Sequence, residues 1–190
     1  DRSVNKDLGF TRAHHVMLSY GFKVSDNMNM KIEPYFQQLY DVPVIADSSY
    51  SVLNRRDFYV ENALVNRGKG RNIGVDITLE RYLNKGLYYM VTASIFDSKY
   101  YGGDRKWRNT LYNRNFIINV LGGKEWMVGR DRQNMFSVNF KITLQGGDRY
   151  APVDEVATLL DPDREVQYDE TKAFSKQFSP MFITNFSVGY

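Results

Sequence analysis

Residues 135 to 145 read MFSVNFKITLQ. Phe136, Val138, Phe140, Ile142 and Leu144 share one parity, and Ser137, Asn139, Lys141, Thr143 and Gln145 share the other. Successive side chains of a strand point to opposite faces, so this segment predicts a strand with one apolar and one wholly polar face. A chain built from such segments must pair them edge to edge and place its apolar faces together.

The pattern recurs, and about seven strands are read from it. The first spans 11 to 24, with Val16, Leu18, Tyr20, Phe22 and Val24 on its apolar face. The second begins at Met28 and carries Met30, Ile32 and Phe36, with Pro34 predicting a bulge or local gap in pairing. The third spans 70 to 83 through Ile73, Val75, Ile77 and Leu79, and the fourth starts at Leu87 with Tyr89, Val91, Ala93 and Ile95. The fifth spans 115 to 128; Phe116, Ile118 and Val120 oppose Ile117 and Leu121, and Gly122-Gly123 is read as a bulge that changes the face. The sixth is 135 to 145, and the seventh runs through Phe182, Thr184, Phe186, Val188 and Tyr190.

Tight turns are expected at 25 to 27, 84 to 86 and 129 to 134, and long loops at about 41 to 69, 99 to 114 and 146 to 180. Such alternation of short turns and long loops is the plan of outer-membrane β-barrels. Twelve residues at about 3.3 Å each, tilted near 45°, cover roughly 28 Å, close to the thickness of a hydrocarbon core. Phe22, Tyr89 and Phe136 lie on the apolar parity near the three tight turns, with Trp126 close by, where an interfacial girdle belongs. A soluble sandwich is the competing fold, but it rarely strings together polar-lined strands of this length.

Composition agrees. Aromatic residues make up 15% of the chain, with 14 Tyr and 12 Phe. Charged residues are 25% and the mean hydropathy is −0.48, so a bilayer-spanning helix is excluded; the longest apolar runs, such as FIINVL at 116 to 121, are far too short. There is no Cys, which excludes a disulfide framework and thiolate metal sites. The net charge of +3 comes without a basic tract, so nucleic acid is not an expected partner. The first residues, DRSVNKDLGF, lack the apolar segment of a signal peptide. Bacterial barrels have even strand counts, so seven strands imply part of a larger barrel.

The stretch TRAHHVMLSYGFKVSDNMNMKIEPYFQQLYDVPV (11 to 44) resembles barrel strands of outer-membrane TonB-dependent receptors, in the subgroup with an N-terminal carboxypeptidase-regulatory-like domain. The resemblance continues through NALVNRGKGRNIGVDITLERYLNKGLYYMVTASIFDSKY (62 to 100), WRNTLYNRNFIINVLGGKEW (107 to 126), GGDRYAPVD (146 to 154) and YDETKAFSKQ (168 to 177). It implies an all-β, antiparallel transmembrane β-barrel, of which this chain supplies about seven of about 22 strands. It implies residence in the bacterial outer membrane, contact with outer-membrane lipid, a plug domain inside the barrel, and coupling to TonB through an N-terminal region outside this chain. The expected activity is ligand capture and TonB-driven import into the periplasm. The alternative is a passive porin or an adhesion-type barrel. Siderophores, glycans, peptides and cobalamins all enter through barrels of this kind, and the strand residues do not choose among them.

In such a barrel the polar parity faces the lumen. Lys23, Lys31, Glu33, Asp76, Glu80, Asn139, Lys141 and Gln145 are therefore the candidate ligand-facing residues. They would touch the plug or line the solute path, or form a hydrated wall with no selectivity. No catalytic residue, metal site or cofactor is expected. His14 and His15 are strand neighbours on opposite faces and cannot chelate one ion together. His15 could face Ser19, but no nucleophile motif surrounds that serine. The acidic residues Asp161, Asp163, Glu165, Asp169 and Glu170 lack the glycine and spacing of a calcium loop and read as a solvated charged loop. Gly-Gly-Asp-Arg occurs at 102 to 105 and 146 to 149, read as a shared turn leaving a strand. Arg67-Gly68-Lys69-Gly70-Arg71 lacks Walker spacing and no helix follows it.

Overall fold

The computed structural model describes residues 4–55, 60–163 and 165–190. Strands make up 59% of the described residues, and the fold is all-β. They are β1 (Arg12–Met17), β2 (Tyr20–Ser25), β3 (Met28–Val44), β4 (Val65–Asn84), β5 (Leu87–Tyr101), β6 (Trp107–Asn109), β7 (Phe116–Val128), β8 (Asn134–Gln145), β9 (Arg149–Tyr150), β10 (Lys176–Gln177) and β11 (Met181–Gly189). One helix, α1 (Glu155–Leu160), and two 3-10 turns, Val52–Asn54 and Glu170–Lys172, complete the described elements.

The main sheet is an antiparallel meander in the order β1-β3-β4-β5-β7-β8-β11, with β2 also on β3 and β6 on β5. β1 and β2 continue one line: Met17 faces Tyr35 and Tyr20 faces Ile32 in a common register. Between them Leu18 N–H donates to the Pro34 carbonyl at 3.1 Å, but Pro34 has no N–H to return. This is the pairing gap that proline predicts. The seven ladder positions match the seven strands read from the sequence, and the sheet is open between β1/β2 and β11.

Because the order is sequential, the connections alternate between the two ends of the sheet. Asp26-Asn27, Lys85-Gly86 and the turn of 129 to 133 close one end. Lys85 (φ 51°) and Gly86 (φ 76°) both adopt the left-handed conformation that a two-residue hairpin needs. The long connections all lie at the other end, as their alternation predicts.

Two sequence expectations are corrected. Gly122-Gly123 makes no bulge: partners run unbroken from Ile117–Gln145 to Val128–Asn134, and from Leu87–Lys124 to Ile95–Phe116. A Cβ on Gly123 would press against the Tyr88 ring and hydroxyl, at 2.8 and 2.7 Å. The glycine makes room for a tyrosine that crosses over it, and Ile117 and Leu121 lie on the polar face. The long loops are also shorter than expected. β3 runs on to Val44 and β4 starts at Val65, β6 folds back on β5, and the 146 to 180 segment holds the β9–β10 hairpin and α1.

The buried residues do not lie between layers of sheet. Val42, Val44, Ser49, Ser51, Tyr100, Arg108, Thr110, Asn113 and Ala173 all sit at the long-loop end. Along the rest of the sheet one layer stands alone. Leu18, Phe182 and Phe186 are 70%, 63% and 70% exposed on its apolar face.

Candidate functional site

Strand register sorts the side chains into two faces. On one, Ile32–Ile77–Ala93–Ile118–Leu144–Phe182 form a single cross-strand row, and Met30–Leu79–Val91–Val120–Ile142–Thr184 form the next. On the central strand β4 charged residues bound this face at both ends. On β4 the apolar stretch Ile73, Val75, Ile77, Leu79 runs from Arg71 to Arg81. That interval is about 33 Å along a strand, or about 25 Å in height at a tilt near 40°. The boundaries shift across the sheet. Arg71 faces Lys99, but on β5 Asp97, opposite Ile73, is already charged. At the other end Arg81 shares a row with Tyr89 and Gly122, while on β7 the first charge is Lys124, one pair nearer the turns. Both boundaries move toward the short turns from one strand to the next.

The opposite face carries all eight candidate residues. Glu33, Asp76 and Gln145 fall in one row with Ser94 and Ile117. Lys31 lies in the next row, with Thr78, Thr92, Asn119 and Thr143. Lys23, Glu80 and Lys141 share a third, and Asn139 faces Gly123 and Ser187. Many of these groups are tied across strands. Lys31 meets Glu33 on its own strand at 2.7 Å, and Ser94 donates across to Asp76 at 2.5 Å. Tyr88 donates to Asn139 at 2.7 Å, and Thr143 to Asn119 at 2.8 Å. Farther up, Asn72 donates to Gln37, Ser98 to Asn72 and Thr110 to Ser98. The register brings the candidates onto one wall without converging them on a single point. Lys23, Lys31 and Glu80 line a hollow of about 480 Å³ beside β2.

The loop cluster folds onto this polar face. Gly70, Tyr100 and Arg108 form one row at the top of the wall, and Leu53 lies over Gly70. Phe174 meets Tyr100 edge-on at 6.1 Å. Arg108 makes two hydrogen bonds to Asp104, at 2.8 and 2.6 Å, and donates to the Thr171 carbonyl. Those bonds from Arg108 hold the Asp104 carboxyl below the usual range, and the same bonds raise Arg108. Burial raises the Tyr100 phenol. Ser49 donates to Glu170, Arg114 pairs with Asp148, and Arg149 donates to Asn113 and Asn115. Sequence patterning misses this cluster because loops lack a period; its one signal is the repeated Gly-Gly-Asp-Arg. Both copies supply an aspartate to an arginine of the middle loop. A Cβ on Gly103 or Gly146 would strike the carbonyl of Ile45 or Arg114. Only the first copy turns (Arg105 N–H to Gly102 carbonyl, 3.1 Å); the second runs into β9, so a shared exit turn is not what unites them.

Between the loops lies a hollow of about 600 Å³, lined by Ser49, Tyr50, Asn54, Arg55, Glu170 and Phe174 among others. The buried Asn54 Nδ2 and Arg55 Nη2 have no acceptor among the described residues. A ligand rich in acceptor oxygens would satisfy them.

His14 pairs with Gln38 and His15 with Gln37, and their rings contact Tyr40 and Tyr35 respectively, on opposite faces. Two of the acidic residues of the last loop accept from backbone amides. Asp161 accepts from the amides of Asp163 and Glu165, and Asp169 from that of Thr171. Bonds from Thr171 and Lys172 hold the Asp169 carboxyl at about 2. No group of three or more potential metal ligands converges among the described residues.

Compared with protein-family models, curated proteins and solved structures, the chain finds no match.

Proposed function

We propose that this chain is a wall segment of an outer-membrane barrel that captures a ligand at the cell surface and imports it with energy from TonB. One observation carries the reading: the loops fold over the polar face and leave the apolar face bare, with its charge boundaries staggered as a tilted wall in a bilayer requires. A soluble sandwich would do the opposite and cover its apolar face. On this reading the long loops are extracellular and the eight candidate residues line the lumen. The hollow beside Asn54 and Arg55 lies where an entering ligand is first held. The open edges at β1/β2 and β11 pair with further strands of the same barrel, because an unpaired edge in lipid leaves backbone groups without partners.

The transport step is tested in cells carrying the intact protein, by following uptake of candidate ligands with and without an uncoupler. Import by a plugged receptor stops when the proton-motive force collapses. Uptake that continues unchanged supports a passive porin, and surface binding with no uptake supports an adhesion barrel.

A further inference from the structure

The segment Arg67-Gly68-Lys69-Gly70-Arg71 has a role that the lumen and loops do not use. Gly68 and Gly70 are buried on the side of the loop cluster, whereas Lys69 and Arg71 are exposed on the apolar side. They stand immediately above the apolar stretch that begins at Ile73. Lys99 lies directly across from Arg71 on β5. Directly opposed like charges on neighbouring strands repel; Asp97 offsets Lys99 at 3.2 Å, which leaves Arg71 the unpaired cation of the two among the described residues.

The surrounding groups leave Lys69 and Arg71 available. Lys99 reaches Asp97 at 3.2 Å, but among the described residues no carboxylate holds Lys69 or Arg71. Each lies on an aromatic ring instead: Arg71 is 5.4 Å from the centre of Trp107, and Lys69 is 5.8 Å from that of Tyr101. Stacking fixes the position of a guanidinium while its N–H donors stay unspent. The other edge of the band differs. There Lys124 donates to the Lys85 carbonyl at 2.6 Å, so its ammonium is already engaged.

We propose that Lys69, Arg71 and Lys99 form a site on the outer wall for the phosphate groups of a phosphorylated glycolipid in the outer leaflet, seated on Trp107 and Tyr101. This rests on the membrane reading above. A planar guanidinium takes two phosphate oxygens at once, and an ammonium beside it takes a third. The apolar rows below would receive the acyl chains, so headgroup and tails are met by one continuous surface.

The test uses the intact barrel protein, purified from outer membranes in mild detergent, and measures bound lipid by native mass spectrometry. The probes are purified lipid A, its dephosphorylated form and inorganic phosphate. The double variant Lys69→Gln, Arg71→Gln should retain about tenfold less lipid A, the scale set by losing charge-assisted bonds. Lys124→Gln should retain the wild-type amount, and dephosphorylated lipid should bind the wild type as weakly as lipid A binds the double variant. Equal retention of lipid A by the double variant and the wild type would overturn the proposal. Displacement of the lipid by equimolar inorganic phosphate would also overturn it, since the recognised group would then be a free anion. Cell fractionation separates the two layers of inference. Wild-type protein in the soluble fraction removes the membrane reading itself, whereas unchanged lipid retention in a properly inserted variant removes only this site.

Discussion

Neighbouring positions on β8 divide the two faces most sharply. Val138 and Phe140 lie on the apolar face, with Phe140 opposite Gly122 and Phe186, while Asn139 between them accepts from Tyr88. On the proposed barrel reading, Phe140→Arg or Ile142→Arg places a charge in lipid and should cost roughly 2–4 kcal/mol near mid-membrane, whereas Val138 faces Lys124 at the charge boundary. Asn139→Arg should cost much less, because its face is wet. Assembly of the intact barrel, followed by heat-modifiable gel mobility, checks this; equal loss for both would dissolve the assignment of faces. A second contrast lies in the loops. Arg108 is almost wholly buried and bridges Asp104 to Thr171, so Arg108→Met leaves the half-buried Asp104 carboxylate without its partner. Removing the partner of this half-buried carboxylate should cost about 1–3 kcal/mol, and hydrogen exchange should show faster opening of the loop cluster with the strands unchanged.

At the scale of elements, the strands were legible and the loop cluster was not. β4 and β8 alternate in sequence because each meets two environments, and that alternation survives in the structure as two faces. Pro34 announced its own gap for an equally local reason, the missing N–H. Gly122-Gly123 misled because a glycine pair fits either a bulge or the close passage of Tyr88, and only the neighbouring strand decides. The buried Tyr100, Arg108 and Asn113 come from contacts across long stretches of chain, which no local period encodes. The eight polar-face candidates were found as a face; the Asn54–Arg55 hollow was not, since it forms only when separate loops meet. The cluster's ion pairs also make it sensitive to acid. Asp104 and Asp169 both have carboxyls held below their usual range, Asp169 at about 2. A depressed carboxyl contributes stability fully above its unfolded pKa, near 4, and loses it as pH falls through the folded value. Limited proteolysis of the 146 to 180 segment should therefore quicken between about pH 4 and pH 2, with little change between pH 5 and 8. Acceleration in the neutral range instead would mean that other groups hold the loops.

For the whole molecule, the decisive property is what the sheet lacks on each side. A single layer with one bare apolar face and two unpaired edges buries its core only at the loop end, through Val42, Val44, Tyr100 and Ala173. Water tolerates neither the face nor the edges: the face favours association, and each edge offers a row of donors and acceptors to any strand. The 190 residues expressed alone should therefore fail to give a monodisperse monomer in aqueous buffer. They should be recovered as aggregates, or in detergent as oligomers paired through β1 and β11. A barrel context removes both problems at once, because lipid meets the face and closure consumes the edges. Light scattering of the isolated segment, set beside the intact protein in the same detergent, provides the comparison. A stable, water-soluble monomer with native strand content would show that this face needs no lipid, and the barrel reading would lose its physical basis.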